Sequence, residues 1–155
     1  MLFCYVCYIL YITNRINITF GKEVINKKLE LDFSSSKSIY LQIEDNLIKA
    51  IAKGDLKIGE SLPSVRSMAE DIGVNLHTVN KAYNELKDRG YLNIDRRKGA
   101  VVADLPMKKN EIKEKELFDE LEILISNSFL SGIQKDEFLK LAEKIYNECE
   151  VVKND

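Results

Sequence analysis

Apolar residues recur at spacings of three and four in separate stretches between Tyr40 and Leu86, then give way to alternation from Tyr91 to Val102. That change of period predicts helices followed by a hairpin. In the first stretch Tyr40, Ile43, Leu47, Ala50 and Ile51 make one face, with Ser34, Ser35, Ser36 and Ser38 available as caps and Gly54 as the stop. Leu31-Asp32-Phe33 ahead of it reads as a short extended piece, and Leu56, Ile58 and Leu62 line a connecting loop that turns at Gly59. A second helix follows Pro63, capped by Ser64, with Met68, Ala69 and Ile72 inward and Gly73 as its left-handed end. Val74 fills the next turn. Asn75 then caps a third helix that carries Val79, Ala82, Tyr83 and Leu86 inward, presents Leu76, His77, Asn80 and Lys81 outward, and stops at Gly90.

Two helices joined by a short glycine turn, the second exposing polar groups at its start, form the helix-turn-helix pattern. Tyr91–Ile94 and Ala100–Val102 add a hairpin whose tip holds Arg96, Arg97 and Lys98, three cations suited to phosphate or the minor groove. The first helix is needed because a helix-turn-helix pair alone cannot enclose a core. The expected fold class is therefore mainly α, in the α+β winged-helix form: a three-helix winged helix-turn-helix with a β-hairpin wing.

Beyond Pro106 the pattern changes again. A charge-dense stretch from Lys108 carries Ile112, Leu117, Leu121, Leu124 and Ile125 as a stripe, and Gly132 interrupts it. Gln134-Lys135-Asp136-Glu137 can start a further helix, with Phe138, Leu141, Ala142, Ile145, Tyr146 and Cys149 on its apolar face. Two such helices bury too little alone, so their stripes must meet another surface. Phe118, Leu121, Leu124, Ile125 and Phe129 on the first, with Phe138, Ile145 and Tyr146 on the second, are the expected dimer interface. The expected division is 1–30 as an N-terminal appendage, 31–104 as the winged domain and 105–155 as a two-helix dimerisation extension.

Composition alters this picture in two places. The net charge of −2 argues against a nucleic-acid partner until it is divided along the chain. Ten basic against nine acidic residues lie between Ser38 and Ala103, whereas eight against thirteen follow, so the acid collects away from the expected reading head. Met1–Ile12 is continuously apolar, but twelve residues are too few to span a bilayer, and no basic leader or cleavage pattern accompanies them. Cys4 and Cys7 have CxxC spacing without a second pair, and His77 is the sole histidine, so no metal site and no cofactor are expected. Cys149 reads as a small core residue. No nucleophile beside a base and no Gly-rich phosphate loop is present, so an enzyme is not expected.

The runs Ile39-Tyr40-Leu41-Gln42-Ile43, Gly54-Asp55-Leu56-Lys57-Ile58-Gly59 and Leu62-Pro63-Ser64-Val65-Arg66 resemble the head of GntR-family transcription regulators. The likeness continues through Met68-Ala69, Gly73-Val74-Asn75, Thr78-Val79 and Lys81-Ala82-Tyr83 to Gly90-Tyr91-Leu92. The short C-terminal extension resembles that of the YtrA subfamily, whose members carry two helices there in place of a large effector domain. The resemblance implies that Arg66 contacts phosphate or base, that Asn75, Leu76, His77, Thr78, Asn80 and Lys81 belong to the recognition helix, and that Arg96, Arg97 and Lys98 serve the wing tip. Two positions depart from the pattern: Leu76 stands where many relatives carry Arg or Pro, and Arg97 where the wing usually has Gly.

The expected function is sequence-specific binding of a palindromic double-stranded DNA operator by a cytoplasmic homodimer, acting as a repressor, with transporter genes implied as targets by the subfamily. Two alternatives remain at this level. One is a winged-helix protein-interaction module with no DNA target; the other is a regulator tethered to a membrane by residues 1–12.

Overall fold

The computed structural model describes Leu29 and residues 31–95, 99–104 and 111–149, with the backbone alone for 111–113. The appendage expected at 1–30 lies outside these residues, Leu29 apart, as do the wing-tip cations Arg96, Arg97 and Lys98. The chain divides into two compact units, Met1–Asp104 and Leu105–Asp155.

The first unit contains α1 (Ile39–Ala52), α2 (Val65–Ile72), α3 (Leu76–Asp88), β1 (Leu92–Asp95) and β2 (Gly99–Val102). The helix starts follow from their caps. Ser64 Oγ accepts the Ser67 amide at 3.1 Å, and Asn75 Oδ1 accepts the His77 amide at 2.8 Å, each satisfying a donor that the helix itself leaves unpaired. Ser38 occupies the cap position of α1 but makes no side-chain capping bond. Gly73 takes φ 68°, a left-handed conformation that costs a residue with a Cβ, and so turns the chain from α2 into α3.

The core of this unit is built from α1 (Ile43, Leu47, Ile51), α2 (Met68, Ala69), α3 (Val79, Ala82, Tyr83, Leu86) and the hairpin (Leu92, Ala100, Val102). Leu56 and Leu62 from the connecting loop complete it. Helix α3 packs against α1, α2 and β1, so it is the element around which the others assemble. Tyr83 donates from its hydroxyl to the Pro63 carbonyl at 3.0 Å, tying the chain ahead of α2 to the middle of α3; burial pushes its phenol up from 10.0.

The wing strands pair antiparallel, with Leu92 opposite Val102 and Asp95 opposite Gly99. The loop before α2 adds a partner that hydropathy did not reveal. Leu62 donates to Ala100 at 2.8 Å, Val102 to Glu60 at 2.9 Å and Gly59 to Val102 at 2.9 Å, so residues 59–62 run beside β2 and cover its free edge. Leu31-Asp32-Phe33 is not an extended piece as expected. The Asp32 carboxylate accepts from the backbone and hydroxyl of Ser34, which closes a turn, lowers the Asp32 pKa and leaves Phe33 exposed.

The second unit holds α4 (Glu111–Leu130) and α5 (Lys135–Asn147), joined through Gly132 at φ 86°. The two helices make no extended contact with each other. Leu117, Phe118, Leu121, Leu124, Ile125 and Phe129 on α4, with Leu139, Leu141, Ile145 and Tyr146 on α5, are all exposed, and Phe138 is half-buried. Ile123 and Leu130 of α4 are exposed too, and at 100° per residue they fall opposite the main stripe. Cys149 is not the core residue expected from spacing: it lies beyond the end of α5 and is exposed, its thiol donating to the Ile145 carbonyl.

Candidate nucleic-acid interface

The cap at Asn75 fixes where α3 begins, and therefore which side chains leave its first turn. Leu76, His77, Asn80 and Lys81 are exposed there, Thr78 is half-buried, and Val79, Ala82, Tyr83 and Leu86 hold the opposite side in the core. No acidic residue stands in the first turn of α3, so the positive end of its dipole faces outward uncompensated. The helix thus presents peptide amides, an imidazole, two carboxamides and an ammonium within two turns, a set that can donate to phosphates and address base edges.

The side chains differ in how they are held. Asn75 spends its oxygen on the cap, leaving its amide nitrogen as the group that can reach outward. Lys81 leans back over the Tyr40 ring, 3.7 Å from its centroid, so α1 determines where this cation sits. Arg66 projects from the start of α2, four-fifths exposed, with Nε bonded to Glu70 Oε1 at 3.1 Å. Such an exposed pair is worth little and yields easily to a phosphate; its i, i+4 spacing was a signal available in the sequence. The structure brings Asn75, Leu76, His77, Thr78, Asn80 and Lys81 together on one helix, whereas Arg66 is on α2 and Arg96, Arg97 and Lys98 lie outside the described residues.

Two polar residues behind this surface were not anticipated. Gln42 is buried, and its carboxamide accepts from the Asp32 amide at 2.8 Å and donates to the Asp32 and Lys37 carbonyls at 2.9 and 2.8 Å, clamping the chain ahead of α1. Glu44 is also buried; its Oε2 lies 3.7 Å from Arg89 Nη1 at the end of α3, while Oε1 has no hydrogen-bond partner among the described residues. Arg89 itself sits over the Tyr91 ring, 5.1 Å from the centroid. Lys81 on Tyr40 and Arg89 beside Glu44 are two clamps between α1 and the helix that carries the candidate contacts.

Glu44 has a testable consequence. Burial raises its carboxyl above the ordinary 4.5, Glu85 and Asp45 push in the same direction, and Arg89 and Lys81 oppose them. A raised pKa means that the folded chain binds this proton more tightly than the unfolded chain. The resulting stabilisation is full below pH 4.5 and is lost as pH rises through the folded-state value. Glu44→Gln keeps the shape without the charge and should raise stability, and so Tm, at pH 7. It should also remove that segment of the pH dependence. Thermal melts from pH 4 to 8 check both; a loss of stability at pH 7 would show that attraction to Arg89 outweighs the burial cost.

The model of the bacterial regulatory proteins of the gntR family matches residues 39–102, which run from the start of α1 to the end of β2. The helix-turn-helix regulator YhcF of Bacillus subtilis is 33% identical over 112 residues, covering 72% of this chain and 93% of that protein. The chain belongs to the GntR family. Its likeness to the family's proteins extends past the winged unit: the transcriptional repressor YtrA of Bacillus subtilis is 31% identical over 123 residues, covering 76% of this chain and 91% of its own. A crystal structure described as a transcriptional antiterminator from Listeria monocytogenes superposes with a TM-score of 0.69 at 31% identity, covering 76% of this chain and 91% of that one. This GntR-family chain is thus a DNA-binding, winged helix-turn-helix transcription regulator and not an enzyme. Among the described residues no helix is long and apolar enough to cross a membrane.

Proposed function

We propose that this chain is a homodimeric repressor that binds a palindromic operator in the cytoplasm, placing α3 of each subunit in a major groove. The observation that carries this reading is the first turn of α3: a capped helix start, free of acid, exposing His77, Asn80 and Lys81 while its other face is locked into the core. Phosphate contacts by Arg66, Lys81 and the wing cations Arg96, Arg97 and Lys98 supply most of the affinity, and Asn75, Leu76, His77, Thr78 and Asn80 supply the discrimination. The likeness to YtrA, which is named a repressor, supports repression, and the subfamily resemblance supports transporter genes as targets.

The second unit supports the dimer. Soluble chains rarely leave this many large apolar side chains exposed along two helices without a partner surface. A second copy covers them by two-fold pairing, which closes the assembly and matches a two-fold operator.

His77 tests the reading. At 100° per residue it points directly away from the buried side of α3, which supports a base edge as its target. His77→Ala should cost roughly 1–3 kcal/mol on the operator while changing affinity for random duplex little. Fluorescence-anisotropy titrations on both duplexes at two salt concentrations check it. An equal fall on both would make His77 a phosphate contact, and wild-type protein with no affinity for duplex at either salt would favour a protein-binding winged helix.

A further inference from the structure

Three large apolar side chains are exposed among the described residues of the winged unit. Phe33 lies in the turn before α1 and Ile94 on the wing; Leu76 alone lies on the outward start of α3, 43% exposed between the cap Asn75 and His77. At 100° per residue Leu76 flanks the buried stripe of α3 without joining it, so it is part-covered and part-open to solvent. Val79 and Tyr83 of the same helix are fully buried, and Asn75 already fixes the helix start. An acid or a small polar residue would suit the first position of a helix better than a water-exposed isobutyl group. The leucine side chain can neither donate nor accept a hydrogen bond, so it adds nothing toward phosphates, guanine, cytosine or the polar edge of adenine. One base-pair feature in the major groove is apolar, the 5-methyl group of thymine, and apolar side chains recognise it by contact.

We propose that Leu76 is a specificity determinant that selects thymine by packing against its 5-methyl group. The proposal rests on the DNA-binding reading above and adds to it which base chemistry this position reads. On the polar face formed by His77, Asn80 and Lys81, Leu76 supplies the one contact that excludes water. It therefore disfavours bases that would leave a donor or acceptor unpaired against it.

The test uses the full chain and the duplex it enriches most strongly from a random-sequence pool. That duplex is synthesised with uracil in place of thymine at one position at a time, which removes a methyl group and leaves the base's hydrogen-bonding groups unchanged. At one position in each half-site, uracil should weaken wild-type binding about fourfold, the effect of losing one buried methyl-sized group. Leu76→Ala should bind the two duplexes equally, and Leu76→Met, which restores an apolar reach, should recover part of the difference. Because Leu76 is only part-covered, its truncation should cost little stability, and thermal melts check that the variants stay folded. If no thymine is sensitive, or if wild type and Leu76→Ala lose equally to uracil, methyl reading by Leu76 is wrong while the DNA-binding reading stands. If the wild type enriches no sequence, both fail together.

Discussion

Replacing Leu121 and Ile145 by Asp should yield a monomer whose affinity for its operator falls by about 10²–10⁴-fold, the loss expected when two linked binding modules become independent. Leu121 lies on the main stripe of α4 and Ile145 on that of α5, and both are exposed in the single chain. A carboxylate at each position would have to be desolvated on pairing, at a cost of several kcal/mol that the apolar contacts around it cannot offset. The winged unit has its own core and should melt as in the wild type. Static light scattering reads the mass and anisotropy the affinity. A stable dimer in the double variant would remove these stripes from the interface, and a wild-type monomer at micromolar concentration would restrict pairing to the DNA.

Leu86→Ala should act on the other unit and by another route. Leu86 is fully buried on α3, the helix that packs on α1, α2 and β1. Truncation removes its transfer free energy and leaves a cavity that three surrounding elements can close only in part, which places the cost at about 2–5 kcal/mol. Set against a total stability of roughly 5–15 kcal/mol, that fraction should lower the Tm of the winged unit by about 10 °C or more. DNA binding should disappear at the same lowered temperature, because the exposed contacts of α3 keep their places only while the unit is folded. Thermal melts followed by circular dichroism, with anisotropy on the same sample, check the coincidence. A Tm within a few degrees of the wild type would contradict the central place of Leu86.

The contrast between these variants shows which features a linear reading reaches. The starts of α2 and α3 were legible because capping is local: Ser64 and Asn75 each bond an amide two or three residues away. Gly73 announced its turn for the same reason. The outward set of α3 followed from the cap and the buried stripe, so Leu76, His77, Asn80 and Lys81 were placed correctly on the exposed side. Hydropathy marks the middle of a buried face but not its width, which is why Gln42 and Glu44, beside Ile43, were missed although both are buried.

Other features depend on the third dimension. The pairing of residues 59–62 with β2 joins segments some forty residues apart, and no local period encodes it. Lys81 was legible as a cation on the right face, but its seat on Tyr40 needed the packing of α3 on α1. The turn at Asp32 replaced an expected extended piece because one carboxylate captured the next backbone amide but one, a choice that a short apolar pair around it conceals. In the second unit the stripes were legible, but the added apolar residues Ile123 and Leu130 on the far side of α4 were not part of that reading. They broaden the surface a second copy has to cover.

Two copies of this chain reading a two-fold DNA sequence through the start of α3 would leave a signature in the duplexes that the full chain retains from a random pool, and sequencing that pool reveals it. The retained pool should hold an enriched palindrome whose half-sites lie about 10 base pairs apart, centre to centre, or a multiple of that. A retained pool indistinguishable in sequence from the input would contradict it.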